Sequence, residues 1–495
     1  MPDVFDIASG LEQDCNGDLV PDSCFVTTDC NTNGVDDLID VECGVSDDLN
    51  GNGVLDECES GLTLYVNGGA APGGDGSIGA PFNNWGAAFA LALDGWSIEV
   101  ASGTYTGTQN RNLNFAGRSL NIYSASGSGN CILDLEQNGR AFTSLAGSPD
   151  INISGLTIMN GRGTAGGPGG LWVGSGTDIT VEDCVIQNCS AMAAAGAIRC
   201  DGDIELIDCV LAGNTAIAEA GSSFGGAMHV FGSVRASGTS FLGNSAITGG
   251  AVFYQGSSFS NAFAHCRFED NLSEQRGGAI AQFKGRMMVD NCLFTGNWAT
   301  AGAGGGIWNG STLGGASTKL FVTSSTFADN HAGPGASAFE GGGAFFVASS
   351  GDLEVRNTIL WGNTAGAGPA IKAFTQNSWQ PTLDIRFCDL EGGVSALDLT
   401  NTVFSSGPLL DLDPLFNNPG LGDYVLAPGS PCVDAGRDSD LANDTLDIDR
   451  DGNTSERVPL DLGGLLREVD DPGAPDVGVG SGPITDMGAY ERQAP

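Results

Sequence analysis

The sequence predicts an all-β chain: a right-handed parallel β-helix of about ten coils, with a small calcium-loop segment in front and a C-terminal cap. Three observations predict it. A column of small residues recurs at Leu156, Cys184, Cys209, Thr239, Cys266, Cys292, Ser325, Thr358 and Cys388, spaced 25 to 33 residues apart. Other columns keep phase with it. Ile153, Val181, Leu206, Ala236, Phe263, Val289, Val322, Val355 and Ile385 lie three residues before; Ile158, Ile186, Leu211, Phe241, Phe268, Phe294, Phe327, Leu360 and Leu390 lie two after. Cys189, Asn214, Asn244, Asn271, Asn297, Asn330 and Asn363 lie five after. Finally, no unit holds a 12-residue amphipathic helix; each holds short alternating strands split by Gly or Asn turns.

A strand-only unit of this length cannot close a core alone. It can when units stack as coils, like over like, about 4.8 Å apart. The columns then become internal ladders of Phe/Leu, Cys/Ser/Thr and Asn. An inward Asn column is expected to bond its own members and the turn backbone, which satisfies amides that burial would otherwise penalise. The handedness of parallel crossovers favours a right-handed coil. A β-propeller also repeats, but its blades are longer and four-stranded.

The first sixty residues read differently. They hold 16 Asp and Glu and no Lys or Arg. The charge is ordered in three copies. Asp48, Asn50, Asn52, Val54, Asp56 and Glu59 take positions 1, 3, 5, 7, 9 and 12 of a calcium loop, with Gly53 at 6. Asp29, Asn31, Asn33, Val35, Asp37 and Asp40 do the same, with Gly34 at 6. The first copy gives Asp14, Asn16, Asp18, Val20 and Asp22 but has Leu19 at 6 and Phe25 at 12, so it is expected to be the weakest. Alternate oxygen side chains, one carbonyl and a Gly turn suit Ca2+, which takes six to eight oxygens. The copies start 15 and 19 residues apart, which leaves little room for EF-hand helices. Asp447, Asp449 and Asp451 before Gly452 form half of a fourth loop, with Val458 at position 12.

Residues 1–60 resemble thrombospondin type 3 repeats and, more loosely, dockerin modules, which would imply a calcium-wrapped, disulfide-pinned string or a scaffold partner. The segments GGAVFY (249–254), GGAIAQ (277–282), FLGN (241–244), FEDN (268–271), FTGN (294–297) and FADN (327–330) resemble the repeats of polymorphic outer-membrane proteins, β-helix surface adhesins. Residues 61–150, with LTLYV (62–66), WGAAFALALDG (85–95) and WSIEVASGTY (96–105), resemble the entry cap of secreted pectin-lyase-like proteins. Residues 151–405 carry the repeats. Residues 406–495, with GSPCVDAG (429–436) and TDMGAYE (485–491), resemble the end of anchored bacterial β-helix surface proteins.

A net charge of −41 argues against nucleic acid and anionic membranes. No apolar run is long enough to span a bilayer. The opening MPDVFDIASG lacks the pattern of a signal peptide. Five of the 14 Cys (Cys15, Cys24, Cys30, Cys43, Cys58) crowd the acidic front and are expected to form disulfides, pointing outside the cytosol, to an extracellular or bacterial cell-surface location. The others are expected to be buried small residues.

Catalytic chemistry is sought in RCDGDIELID (199–208). Asp203 and Glu205 should project outward, with Arg235 one coil later in the column of Glu205. A cross-coil salt bridge explains that trio without catalysis. Lys284, Arg286 and Asp290 form a second charged group, again read as surface pairing. His229, His265 and His331 form no metal set, and no catalytic residue is assigned. Trp308, Phe253, Tyr254, Phe346, Trp361 and Trp379 are candidates for exposed aromatics that stack on sugars. The expectation is a non-catalytic, calcium-binding protein for adhesion, display or binding of a polysaccharide or cell-surface ligand. The alternative is a polysaccharide lyase or glycoside hydrolase on the same scaffold. The oligomeric state is not fixed by the sequence.

Overall fold

The computed structural model describes residues 4–493 except 12, 15–16, 18, 25, 27, 49–53, 60, 146, 148–149, 165, 219–220, 259–260, 312–316, 335–336 and 376–377. The expected solenoid is present. One coil runs through Asp203–Ile207, Val210–Ala212, Thr215–Ile217 and Met228–Val230, and Ser233–Ser237 begins the next. Corresponding strands of successive coils pair in parallel, which builds four sheets along the rod. The first sheet has 13 strands, from Thr63–Val66 to Val403–Ser406, and the second has 12, from Gly103–Tyr105 to Leu409–Leu410. The third has seven, from Arg162–Gly163 to His331–Ala332, and the fourth 11, from Leu113–Asn114 to Leu397–Thr400.

The register follows the predicted columns. Ile204 pairs with Val234 and Leu206 with Ala236; Leu211 pairs with Phe241. Inside, Phe241, Phe268, Phe294 and Phe327 stack with ring centroids 4.6, 4.5 and 4.4 Å apart and planes within 8° of parallel. Beside them runs the amide ladder. Nδ2 of Asn214, Asn244, Asn271, Asn297 and Asn330 donates to Oδ1 of the next Asn at 2.9–3.1 Å. The backbone N–H of each donates to that same oxygen at 3.0–3.2 Å. Each amide therefore serves two coils, and no ladder polar group is left to water it cannot reach. The thiols of Cys184, Cys209, Cys266, Cys292 and Cys388 are buried and free, as expected. Burial pushes the Cys209 and Cys388 thiols up to about 12, which keeps them inert at neutral pH.

The GGA steps follow from backbone geometry. Gly249 has φ +67°, in the left-handed region, and a Cβ on Gly250 would collide with the carbonyl of Gly278 in the next coil. At the entry, the helix Trp85–Leu91 starts on Asn84, whose side chain accepts from the Ala87 N–H. It buries Trp85, Ala88 and Phe89 on the first coils, with Trp85 and Phe89 both against Phe142.

At the other end, residues 409–493 do more than close the rod. They run back along its side. Tyr424 and Tyr490 pack on Leu293 and Ala328, outward residues of the second sheet. The phenol of Tyr424 meets Thr295 at 2.7 Å and donates to Asp329 at 3.1 Å. Meanwhile Val403, on the last coil, is half exposed.

In the acidic front, the three copies share one bond. The N–H at position 9 (Asp22, Asp37, Asp56) donates to the carbonyl just before position 1 (Gln13, Thr28, Asp47) at 2.9 Å each. All three of these Asp residues are buried. A disulfide joins Cys30 to Cys58, linking the second copy to the third. A six-residue helix, Asp37–Glu42, leaves the second copy, with Asp36 as its cap. The short spacing admits this single turn and a half.

Candidate functional site

A concave feature lies where the outer faces of the first and second sheets meet under the C-terminal segment. It encloses about 620 Å3. Strand alternation puts Glu182, Glu205 and Arg235 on its floor. The turn between the two sheets adds Asp208 and His265, both at positive φ, where Asp and Asn are favoured over branched residues. Arg267 comes from the second sheet, and Thr445–Ile448, Arg450 and Leu460–Gly464 form the roof.

The predicted register of Glu205 and Arg235 is found. Their side chains form an ion pair at 3.3 Å, and Arg235 also donates to the Thr445 carbonyl at 2.9 Å. Arg450 reaches down from the roof, 3.3 Å from Glu182 and 2.6 Å from Asp208. Arg267 pairs with Glu269 at 3.6 Å and donates to the Tyr490 hydroxyl at 2.8 Å. Each arginine of the groove is thus already engaged. Asp203 lies outside, held by Ser233. Nε2 of His265 lies 2.9 Å from the Leu460 carbonyl; a carbonyl only accepts, so Nε2 carries the proton. Burial pushes the His265 pKa down to about 4, which keeps the ring neutral.

The second charged group does not assemble. Asp290 is buried beneath the C-terminal segment and accepts from the Thr323 hydroxyl, while Lys284 and Arg286 stay exposed. Arg286 lies over the Phe321 ring, 4.5 Å from its centroid. Burial raises the Asp290 pKa to about 6. The aromatic candidates also need correction. Phe253, Tyr254, Trp308 and Phe346 are buried; Trp308 and Phe346 cluster with Phe283 and Phe374, and Phe253 packs against Phe224 and Phe283. Trp379 is exposed, and so is Trp298, which the repeat pattern concealed because it stands one residue after an inward Asn.

For the metal loops, Asn16, Asp18, Asn50 and Asn52 lie outside the described residues. The second copy is the best defined. Asp29 accepts from the N–H groups of Asn33 and Gly34, both at 3.0 Å. Nδ2 of Asn31 and of Asn33 donates to the buried Asp40 carboxylate at 3.2 and 2.9 Å. The side chains at positions 3, 5 and 12 thus meet, while position 1 holds the backbone of the same turn. Their donor atoms are all oxygens once the two amides turn over, a set that fits Ca2+. In the first copy, Asp14 accepts from the Leu19 N–H at 3.0 Å in the same way. In the third copy Asp56 is buried and Val54 exposed, and the Glu59 carbonyl accepts from the Trp96 indole at 3.2 Å.

In the fourth loop, Asp447 accepts from the Gly452 N–H at 3.0 Å. Asp447 and Asp449 gather with Asp444, and Asp449 and Asp451 gather with Glu456, each group within 4.8 Å. The sequence reading missed Asp444 and Glu456 because they fall outside the loop spacing. Val458, at position 12, is buried and donates its N–H to Ala442.

No family model matches the chain, and no curated protein matches it. Solved structures do. A pectate lyase, Pel9A, is similar at 14% identity over 88% of this chain and 97% of that one, with a TM-score of 0.47. A rhamnogalacturonan lyase is similar at 12% identity over 71% and 85%, with a TM-score of 0.41. The catalytic unit of a GH87 α-1,3-glucanase from Streptomyces thermodiastaticus is similar at 15% over 71% and 69%, with a TM-score of 0.32. The chain's own strand pairing makes it a parallel β-solenoid.

Proposed function

We propose that the chain is a secreted or bacterial cell-surface, calcium-binding protein whose roofed groove holds a polysaccharide segment without cleaving it. One observation carries this reading: the groove's acids are all engaged by arginines, Glu205 by Arg235 and both Glu182 and Asp208 by Arg450. A hydrolase needs two carboxylates free to flank a bond, and a lyase needs a free base. A groove of paired charges offers instead a polar floor for sugar hydroxyls. The net charge of −41 disfavours nucleic acid as the ligand. Ca2+ belongs to the acidic loops, and the Cys30–Cys58 disulfide agrees with an oxidising location. None of the described helices is long and apolar enough to cross a membrane.

The test is calorimetry of the full chain against a panel of neutral and uronate polysaccharides, with product release followed in parallel. Binding without new reducing ends or unsaturated products is expected, and Arg450→Ala should weaken it at least fivefold. The second reading, a lyase or hydrolase, draws on the concentration of Glu182, Glu205 and Asp208 beside Arg235 in one groove. Product release that disappears in Glu205→Gln or Arg235→Ala would establish it and overturn the non-catalytic reading. Absence of binding to any polysaccharide would remove both.

A further inference from the structure

We propose that Asp434, Asp470 and Asp476 form a site for a hard divalent cation, Ca2+ in the first instance, within the C-terminal region and apart from every loop described above. The three carboxylates each place an oxygen within 4.8 Å of the others. Mutual repulsion at that distance is unfavourable unless a cation or protons offset it.

Asp434 supplies the second observation. Its side chain is fully buried, at 0% exposure, and among the described residues neither carboxylate oxygen has a hydrogen-bond partner. A buried carboxylate with no partner is costly, so such groups are paired or coordinate metals. The nearby cation is taken: Arg492 pairs with Asp471, which leaves Asp434 facing Asp470 and Asp476. Burial first, then Asp470, Asp476 and Glu491, push the Asp434 pKa up to about 6, with Arg492 acting in the opposite direction.

The backbone holds the three in place without using their oxygens. Asp434 stands at φ +49°, and its N–H donates to Asp486 at 2.8 Å. Its carbonyl accepts from Val477 and Gly478 at 3.1 and 2.9 Å, which draws Asp476 alongside. Between Asp470 and Asp476 the chain reverses at Pro472-Gly473, where Asp471 accepts from the Gly473 and Ala474 N–H groups. One ligand is therefore buried and fixed, and two are exposed on a short turn. Three carboxylates with no His or Cys suit an oxygen-seeking ion such as Ca2+. The open side leaves room for water to complete its shell.

The test compares the full chain with an Asp470→Asn/Asp476→Asn variant, both exposed positions, and with Asp434→Asn. Bound calcium is counted after equilibrium dialysis, and amide exchange of residues 470–478 is followed with and without calcium. The expected result is one ion fewer in the double variant, with unchanged circular dichroism, and calcium-dependent protection of 470–478 in the wild type only. The acidic loops at 14–59 and 444–456 are intact in both proteins, so their ions cancel in the count. An unchanged ion count, or protection of 470–478 that ignores calcium, overturns the proposal. If Asp434→Asn fails to fold, the double variant still decides.

Discussion

Arg467 and Glu491 form an ion pair at 3.2 Å with both side chains shut off from solvent. Arg467 also donates to the Ser324 and Gly488 carbonyls and to Asn291, so it ties the C-terminal end to the solenoid wall. Glu491 accepts from the N–H groups of Asp486 and Val469 at 3.0 and 3.1 Å. Breaking one side of such a pair leaves an uncompensated buried charge, at a cost of about 3–5 kcal/mol. Arg467→Met should therefore detach the C-terminal region well before the solenoid melts. Calorimetry should show a separate, lower transition, and Arg467→Met/Glu491→Leu should recover part of the loss. A single unshifted transition in Arg467→Met would refute the latch.

The amide ladder makes a second prediction. Asn271 accepts from the N–H and Nδ2 of Asn244 and donates to Asn297 and to the Phe241 carbonyl at 2.8 Å. Asn271→Leu fills the same space but strands two donors of Asn244 and the Phe241 carbonyl on the coil before, while the Asn297 oxygen keeps the N–H of residue 271. At about 1–3 kcal/mol per stranded group, the loss should exceed 3 kcal/mol. Chemical denaturation of the two proteins measures it. A loss under 1 kcal/mol would mean that the ladder is not structural.

The ladders were legible in the sequence because stacking puts like over like. Phe241, Phe268, Phe294 and Phe327 recur in phase, and their spacing alone places them together. The groove was legible only in part. Glu205 and Arg235 share a column, but Arg450 reaches Asp208 across 242 residues of chain. Its single charge carries no periodicity to announce the partner. Phe253 and Trp308 stand at outward positions of their strands, so alternation predicts exposure; it does not show that Phe224 and Phe283 pack over Phe253, or Phe283 and Arg276 over Trp308. Asp434, Asp470 and Asp476 fall in no motif; the turn at 472–473 and the bonds of Val477 and Gly478 to the Asp434 carbonyl bring them together.

Leu19 sits at φ +69°, where the second copy has Gly34 at φ +90°. A non-Gly residue there carries backbone strain of roughly 1 kcal/mol or more. Leu19→Gly should raise the melting of the N-terminal segment and tighten calcium in the first loop, with the Asp14 bond to residue 19 retained. Gly34→Leu should do the reverse in the second loop. Differential scanning calorimetry across a calcium titration reads both. Equal behaviour of the two variants would show that position 6 does not set loop strength.

The contact of His265 with Leu460 fixes a pH dependence. The folded pKa is about 4, set first by burial, with Arg467 acting in the same direction, against an unfolded value near 6.5. Between those values the unfolded chain binds the extra proton, so stability rises with pH. The contribution of the neutral ring is complete above pH 6.5 and is lost as pH falls through 6 and 5 to 4, by about 3 kcal/mol in all. Asn is the natural control. Asn291, one coil on, also takes a positive φ and also donates to the Leu460 carbonyl, at 2.9 Å. His265→Asn therefore keeps the turn and the bond but not the titration. The stability difference between wild type and His265→Asn should move against the wild type as pH drops from 7 to 4. Carboxylates such as Asp290 titrate in both proteins and largely cancel. A difference that stays flat over that range would show that protonation of His265 does not loosen the C-terminal segment.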